Sequence, residues 1–293
     1  MQKVRKAVIP VAGYGTRFLP YTKAVPKPLL PILNKPAIQI ISEEVVESGI
    51  EEILFIVGYK KDIIESHFNS APELESVLGE KGKFDFLKAV KKPTEMAKFR
   101  YVVQEIQNGT ASAVALAEDF VNGEPCAVLF GDDVMYSDNG RPVIGQLIDI
   151  YEKYGKTVLG CKRVSMDDIS KYASVEFDKI LENDVYNMVK VTEKPKKEEA
   201  KSDLAPLGRY ICSPDIFDII RKLKPGANNE YQFTDALDAE AHKNGAVAYV
   251  FHGTRYDMGD RLGYLKANIE YGLRDEELGG KLKGYLKELI KDI

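Results

Sequence analysis

The stretch Val8–Pro31, VIPVAGYGTRFLPYTKAVPKPLLP, places an apolar run, a glycine turn and three cations in one short span, and it constrains the rest of the chain more than any other segment. The residues 7–12, all apolar, read as a buried strand, and Gly13-Tyr14-Gly15 breaks it with two residues free to take positive φ. A loop of this kind presents bare backbone N–H groups that can wrap an anionic phosphate. Arg17, Lys23 and Lys27 follow at spacings able to close around the same anion. A nucleoside triphosphate is the natural ligand of such a pattern. The competing reading is a structural strand-to-loop turn whose cations are simply solvated.

Two familiar phosphate motifs are excluded. A dinucleotide fingerprint needs a third glycine three residues after Gly15, where this chain has Phe18. Gly155-Lys156-Thr157 imitates the end of a P-loop, but the glycine required five residues earlier is replaced by Ile150. That segment reads instead as a turn entering a strand over 157–161.

The hydrophobic pattern sets the strand and its turn in a larger frame. A helix follows Pro36, with Ile38, Ile41 and Val45 on one face and Gly49 closing it; 53–57 is a strand and 61–68 a helix. The span 69–99 is polar, charge-rich and broken by Gly and Pro, and reads as an excursion from the core. Strand character returns at 101–103 and 126–130, with a helix over 111–120 between them. This alternation predicts an α/β fold with a doubly wound, mainly parallel, Rossmann-like sheet whose ligands bind outside the carboxyl ends of the strands. Beyond about residue 160 the strands lengthen and connect directly, as at 172–177 and 186–191, which predicts a smaller antiparallel part. At the end of the chain Leu262, Leu265, Ile269 and Leu273 form one helical stripe, and Leu278, Leu282, Leu286 and Leu289 another. They are packing faces that either cover the core or meet a second subunit. The expected organisation is a catalytic domain over 1–275 and a C-terminal helix over 276–293 in a homo-oligomer, a dimer or tetramer.

The chain is long enough, at 293 residues, to bury a substantial core. A net charge of −4 argues against nucleic acid and anionic membrane as partners, so any positive field is local to a site. Cys126, Cys161 and Cys212 stand apart in apolar runs and read as reduced core residues. With no apolar span long enough for a bilayer and no leader at the start, the expected location is cytoplasmic.

Asp132 directly follows the apolar run 127–130 and Gly131, where a carboxylate at a strand end suits a hard cation. Magnesium needs only one or two protein carboxylates, and Asp257, in RYDMGD, is the candidate partner; either aspartate can instead cap a turn. His67, His242 and His252 are dispersed, so neither a histidine metal cluster nor an activated nucleophile is indicated.

GxGTRxxP followed by Pro26-Lys27-Pro28-Leu29-Leu30-Pro31 resembles the signature of sugar-nucleotide pyrophosphorylases, which join a nucleoside triphosphate to a sugar 1-phosphate. KPGANNEYQFTDAL and RYDMGDRLGYLKANIEYGLRD bring the chain nearest to the bacterial uridylyltransferase branch, and the similarity runs over nearly the full length. The resemblance implies UTP and glucose 1-phosphate as substrates and Mg²⁺ as cofactor. It implies that Arg17 and Lys27 hold the triphosphate, that Lys194 of Glu193-Lys194-Pro195 meets the sugar phosphate, and that Glu193 binds sugar hydroxyls. Ala12, Gly13, Gly15, Thr16, Gln104, Gly109 and Asp132 are the implied nucleotide contacts, with Gln104 offering a donor and an acceptor to the imide edge of uracil or thymine. Tyr172, Ala173, Gly208 and Tyr210 are the implied sugar contacts, which makes the antiparallel part the sugar-binding one by resemblance. The chain departs from that branch at Ala111-Ser112, where Gly-His is usual, at Ala173, where a glycine is usual, and at Pro28, where a glutamate is frequent. Pro28 and Ala111 favour a thymidylyltransferase as the alternative. A catalytically silent sugar-nucleotide-binding protein is the remoter one, and it would be expected to lack some of Arg17, Lys27, Asp132 and Lys194.

Overall fold

The computed structural model describes residues 2–226 and 229–292. Its strands are β1 (Lys6–Val11), β2 (Pro31–Ile32), β3 (Lys35–Pro36), β4 (Glu52–Val57), β5 (Lys98–Val103), β6 (Cys126–Leu129), β7 (Asp133–Tyr136), β8 (Thr157–Arg163), β9 (Ser174–Glu182), β10 (Val185–Thr192), β11 (Leu204–Cys212), β12 (Ala246–Val250) and β13 (Thr254–Asp257). Nine of them form one sheet in the order β5-β4-β1-β6-β11-β8-β12-β10-β9, and β13-β7 and β2-β3 are two small antiparallel ribbons. The half from β5 to β6 is parallel throughout, with Lys6 beside Glu52 on one side and Cys126 on the other.

The sheet is covered on both faces, which is why its strands are almost uninterrupted apolar runs. Along β1, Ala7, Ile9 and Val11 enter one core while Val8 enters the other; along β6, Ala127 and Leu129 part in the same way from Cys126 and Val128. The three cysteines are buried and free, and burial pushes the Cys126 thiol up to about 12.

Beyond β6 the direction changes. β11 runs antiparallel to both β6 and β8, β12 is again parallel to β8, and β10 is antiparallel to both β12 and β9. The antiparallel part is therefore an extension of the parallel sheet and not a separate layer. All nine residues of β11 are buried.

The span 69–99 is an excursion, but a helical one: helices Pro72–Glu80 and Phe84–Glu95 pair before β5 begins at Lys98. Pro72 opens the first helix, where a missing N–H costs nothing, and Pro93 falls in the last turn of the second. Pro93 has no N–H to donate to Ala89 O, so the second helix runs through it one bond short, and both prolines interrupt the sequence pattern. The first of these helices buries no residue, and the second buries only Pro93.

The helices Arg261–Arg274 and Gly279–Leu289 close the described chain. Asp260 caps the first by accepting from Gly263 N at 2.9 Å. Their stripes do not cover the sheet: Leu262, Leu265, Ile269, Leu273, Leu278 and Leu289 remain exposed. No described helix is long and apolar enough to cross a membrane.

Candidate active site

The carboxyl ends of β1, β4, β5 and β6 point to one edge of the sheet, and the loops leaving three of them build a cleft there. Ala12, Gly13, Lys27, Gln104, Gly109 and Asp132 line this cleft of about 340 Å³. Six residues expected at the nucleotide are thus brought together from four separate segments. Gly15 and Thr16 stand behind the wall. Of the two turn glycines, Gly15 alone takes a positive φ, +65°, and its carbonyl accepts from Thr22 Oγ1 at 2.8 Å, folding the loop back toward the short turn Lys27–Leu29.

The far wall comes from residues 230–232. Glu230 and Gln232 line the same cleft as Gln104. Tyr231 N donates to Asn108 O at 2.8 Å and Ala111 N donates to Tyr231 O at 2.9 Å, so the two segments are joined backbone to backbone. This contact requires Gly109: its φ is +123°, and a Cβ there would lie 2.3 Å from Tyr231 O. Thr110 does cap a helix, but a different one from its own. Its Oγ1 accepts from Phe233 N, at the start of the helix Phe233–Asn244. Gln107, on the same loop, donates to Ala12 O at 2.8 Å.

A second, more polar pocket of about 570 Å³ adjoins, lined by Arg17, Lys171, Tyr172, Arg255, Asp257 and Lys266 among others. Gly259 stands beside residues of both linings. A Cβ placed on Gly259 would lie 2.9 Å from Asp257 Oδ1, 3.1 Å from Arg17 Nη1 and 3.3 Å from Asp132 Oδ2. Two carboxylates and a guanidinium distant in sequence therefore converge on a single point. The backbone fixes this: Met258 N donates to Asp132 O at 2.7 Å, Gly259 N to Asp257 Oδ1 at 2.8 Å, and Arg17 Nη1 to Gly259 O at 3.0 Å.

Each carboxylate here has a cation. Lys27 Nζ lies 2.9 Å from Asp132 Oδ2. Partial burial pushes the Asp132 carboxyl up, but the Lys27 ammonium, with Arg255 farther off, outweighs it and holds the group below its ordinary range. Arg255 bridges two acids, with Nε 2.6 Å from Asp133 Oδ1 and Nη2 3.4 Å from Asp257 Oδ2. Burial pushes Asp133 up to about 6 against the pull of Arg255, and the charge of Asp132 adds to the rise. Asp133 faces inward, where Gly208 touches it; a Cβ on Gly208 would fall 2.2 Å from Asp133 Oδ2. Gly208 thus meets the acid next to the cleft, and it lines neither pocket.

Beneath this loop lies a fully buried ion pair. Arg209 Nη2 is 2.7 Å from Glu44 Oε2 and donates to Asp133 O at 2.7 Å, and Glu44 Oε1 accepts from Ile144 N.

The remaining expected sugar contacts are scattered. Tyr210 is 5% exposed and packs against Phe130 and Phe233, and Ala173 is also buried; neither reaches a pocket. Glu193 accepts from Thr234 Oγ1 at 2.7 Å. Lys194 holds Tyr172 O through its own backbone N–H at 3.1 Å, while its ammonium points outward, 3.8 Å from Glu193.

Among the described residues no group of three or more His, Cys, Asp or Glu could hold a metal. The donor set of Asp132 and Asp257 nevertheless suits magnesium, which takes few protein carboxylates and completes its shell with water and phosphate oxygens. Both present hard oxygens toward the same point beside Gly259.

Comparison with known proteins agrees with the fold. The nucleotidyl transferase family matches residues 6–272. A UTP–glucose-1-phosphate uridylyltransferase of Staphylococcus epidermidis is 45% identical over 289 residues, 99% of each chain. One from Bacillus subtilis is 46% identical over 290 residues, covering 99% of this chain and 97% of that one. A UTP-bound UGPase from Acinetobacter baumannii superposes with a TM-score of 0.90 at 32% identity, over 98% of this chain and 99% of that one. A UDP-glucose pyrophosphorylase complexed with UDP-glucose gives 0.85 at 38% identity, over 93% and 100%. With the family matched across nearly all of the chain and the relatives matched from end to end, the chain belongs to the nucleotidyl transferase family, in its UTP–glucose-1-phosphate uridylyltransferase branch.

Proposed function

We propose that this protein transfers the uridylyl group of UTP to glucose 1-phosphate, releasing UDP-glucose and pyrophosphate in a single displacement. The observation that carries the reading is the convergence of Arg17, Asp132 and Asp257 on Gly259, which brings Asp132 of the nucleotide cleft next to Arg17 and Asp257 of the polar pocket holding Tyr172. An oxygen of the sugar phosphate attacks the α-phosphorus. The bond from that phosphorus to the oxygen bridging to the β-phosphorus breaks, and pyrophosphate leaves with the electron pair. No protein nucleophile is needed, so the residues contribute binding, alignment and charge.

Gln104 and Gly109 receive the base, and the loop 12–16 follows the phosphates. As the nucleotide enters, Lys27 exchanges Asp132 for phosphate oxygens, which frees that carboxylate. Asp132 and Asp257 would then hold Mg²⁺, which when bound supplies Lewis-acid neutralisation of the phosphoryl charge. Arg17 stabilises the departing pyrophosphate, and Lys194 swings in with the sugar phosphate and draws the two anions together. The exposed leucine stripes of the last two helices support a homo-oligomer, a dimer or tetramer, which light scattering would measure.

The test is an assay of UTP and dTTP against a panel of sugar 1-phosphates, with and without Mg²⁺, following pyrophosphate. UTP with glucose 1-phosphate should give the highest kcat/KM, and only with the metal. Preference for dTTP would make the protein a thymidylyltransferase. Absence of pyrophosphate from every pair would leave a sugar-nucleotide-binding protein.

A further inference from the structure

Gln104 Nε2 donates to Ser112 Oγ at 3.3 Å, and Ser112 Oγ donates to Gly109 O at 2.7 Å. Ser112 is half-buried on the helix Thr110–Ala115 and does not line the cleft; Gln104 is buried and does. The two bonds form a relay with a fixed sense. A serine hydroxyl has one proton, and two oxygens 2.7 Å apart repel unless a proton lies between them, so that proton belongs to Gly109 O. Toward Gln104 the hydroxyl then offers only lone pairs. The amide must turn its nitrogen to Ser112, which leaves Oε1 and the second N–H as its remaining acceptor and donor. Gln104's backbone cannot shift to relieve this, because its N–H is tied to Val57 O at 2.9 Å.

Resting on the functional reading above, we infer that Ser112 is a positioning residue that locks the flip of the Gln104 amide and so selects uracil over cytosine. Uracil presents N3–H and a carbonyl at C4, which match a fixed acceptor and donor. Cytosine presents a bare N3 and an amino group, the reverse order. To pair with cytosine the amide would rotate by half a turn and set Oε1 against Ser112 Oγ. Either two acceptors would then face each other, or Gly109 O would lose its hydroxyl partner, and both leave a buried polar atom unpaired.

The experiment compares kcat/KM for UTP and CTP, with glucose 1-phosphate, in the wild type and in Ser112→Ala, Ser112→Cys and Ser112→Thr. Alanine removes the relay and is a good helix former; cysteine keeps the shape with a much weaker donor; threonine keeps the hydroxyl. The UTP-to-CTP ratio should fall roughly tenfold in the alanine and cysteine variants, the scale of one unsatisfied buried polar group, chiefly through a lower KM for CTP. Threonine should retain the wild-type ratio. A loss of packing alone would lower both activities together and leave the ratio untouched. Wild-type ratios in both the alanine and cysteine variants would overturn the inference while UTP turnover still upheld the function. A wild-type protein that turned over neither nucleotide would overturn the function and this inference with it.

Discussion

The two lysines assigned to the reacting phosphates sit in opposite surroundings. The Lys27 side chain is 18% exposed, rises from a short turn packed on the core, and is paired with Asp132 at 2.9 Å. The Lys194 side chain is 65% exposed, follows the end of β10 on left-handed backbone at φ +42°, and among the described residues pairs with Glu193 alone, at 3.8 Å. The nucleotide side is tied together by its own contacts, with Lys27 paired to Asp132 and a buried ion pair beneath it. The sugar side is held by its backbone and leaves its ammonium in water. Such a contrast suits an ordered reaction, in which the triphosphate finds a finished cradle and the sugar phosphate recruits its own cation on arrival.

The most damaging way to probe that contrast is from below. Glu44→Ala leaves the Arg209 guanidinium buried without its partner, so chemical denaturation should show a loss of about 3–5 kcal/mol. Lys194→Met, on the exposed side, should change stability by less than about 0.5 kcal/mol. Equal effects would erase the distinction between a supported and an unsupported half.

At the junction, Asp132→Asn and Asp257→Asn should each lower turnover about 10²–10³-fold and blunt the response to added Mg²⁺, with the melting profile retained. A normal magnesium titration in both variants would remove these residues from a metal site.

Lys194→Met should lower turnover by roughly 10²-fold, since the charge acts most when the two anions are forced together, while calorimetry should find UTP affinity largely preserved. Lys194→Arg should also be impaired, because a planar fork does not replace a compact point charge. If UTP affinity collapsed and saturated turnover held, Lys194 would belong to the nucleotide cradle and the comparison would be drawn at the wrong place.

The smallest effect is expected at Arg17, which shares its point of convergence with two carboxylates. Arg17→Ala should weaken pyrophosphate binding in the reverse reaction by about tenfold, the scale of one charge-assisted hydrogen bond. Unchanged pyrophosphate inhibition would mark Arg17 as a structural link to Gly259 and no more.

The assembled half is also the half that could be read in advance. Buried parallel strands are written as apolar runs, so β1 and β6 stood out, and the residues just past their ends, Gly13 and Asp132, follow from the rule that α/β sheets bind at their carboxyl edge. What local pattern could not convey was pairing across the chain. Glu44 with Arg209, and Arg255 with Asp133, are contacts made by the topology, and nothing near either residue announces them. Tyr210 shows the same difficulty from the other side. The resemblance set it at the sugar, but which face of its strand it occupies depends on the insertion of β11 between β6 and β8, and that insertion buries it. The helices over 72–95 were obscured for a simpler reason: one opens on a proline and the other runs through one, and both read as breaks in the pattern.

The insertion of β11 also bears on how the molecule comes into being. Until residues 204–212 have left the ribosome, β6 and β8 have no partner between them, and each presents a bare edge. The Glu44 carboxylate, synthesised long before, waits for Arg209. The first two hundred residues therefore do not amount to a free-standing nucleotide-binding module, even though they carry most of its contacts, and contacts so distant in sequence form slowly. Translation must run through the sugar-side strands before the cradle for the triphosphate can close, which leaves strand edges of the nascent chain unpaired during that interval and ties the birth of one substrate site to the completion of the other.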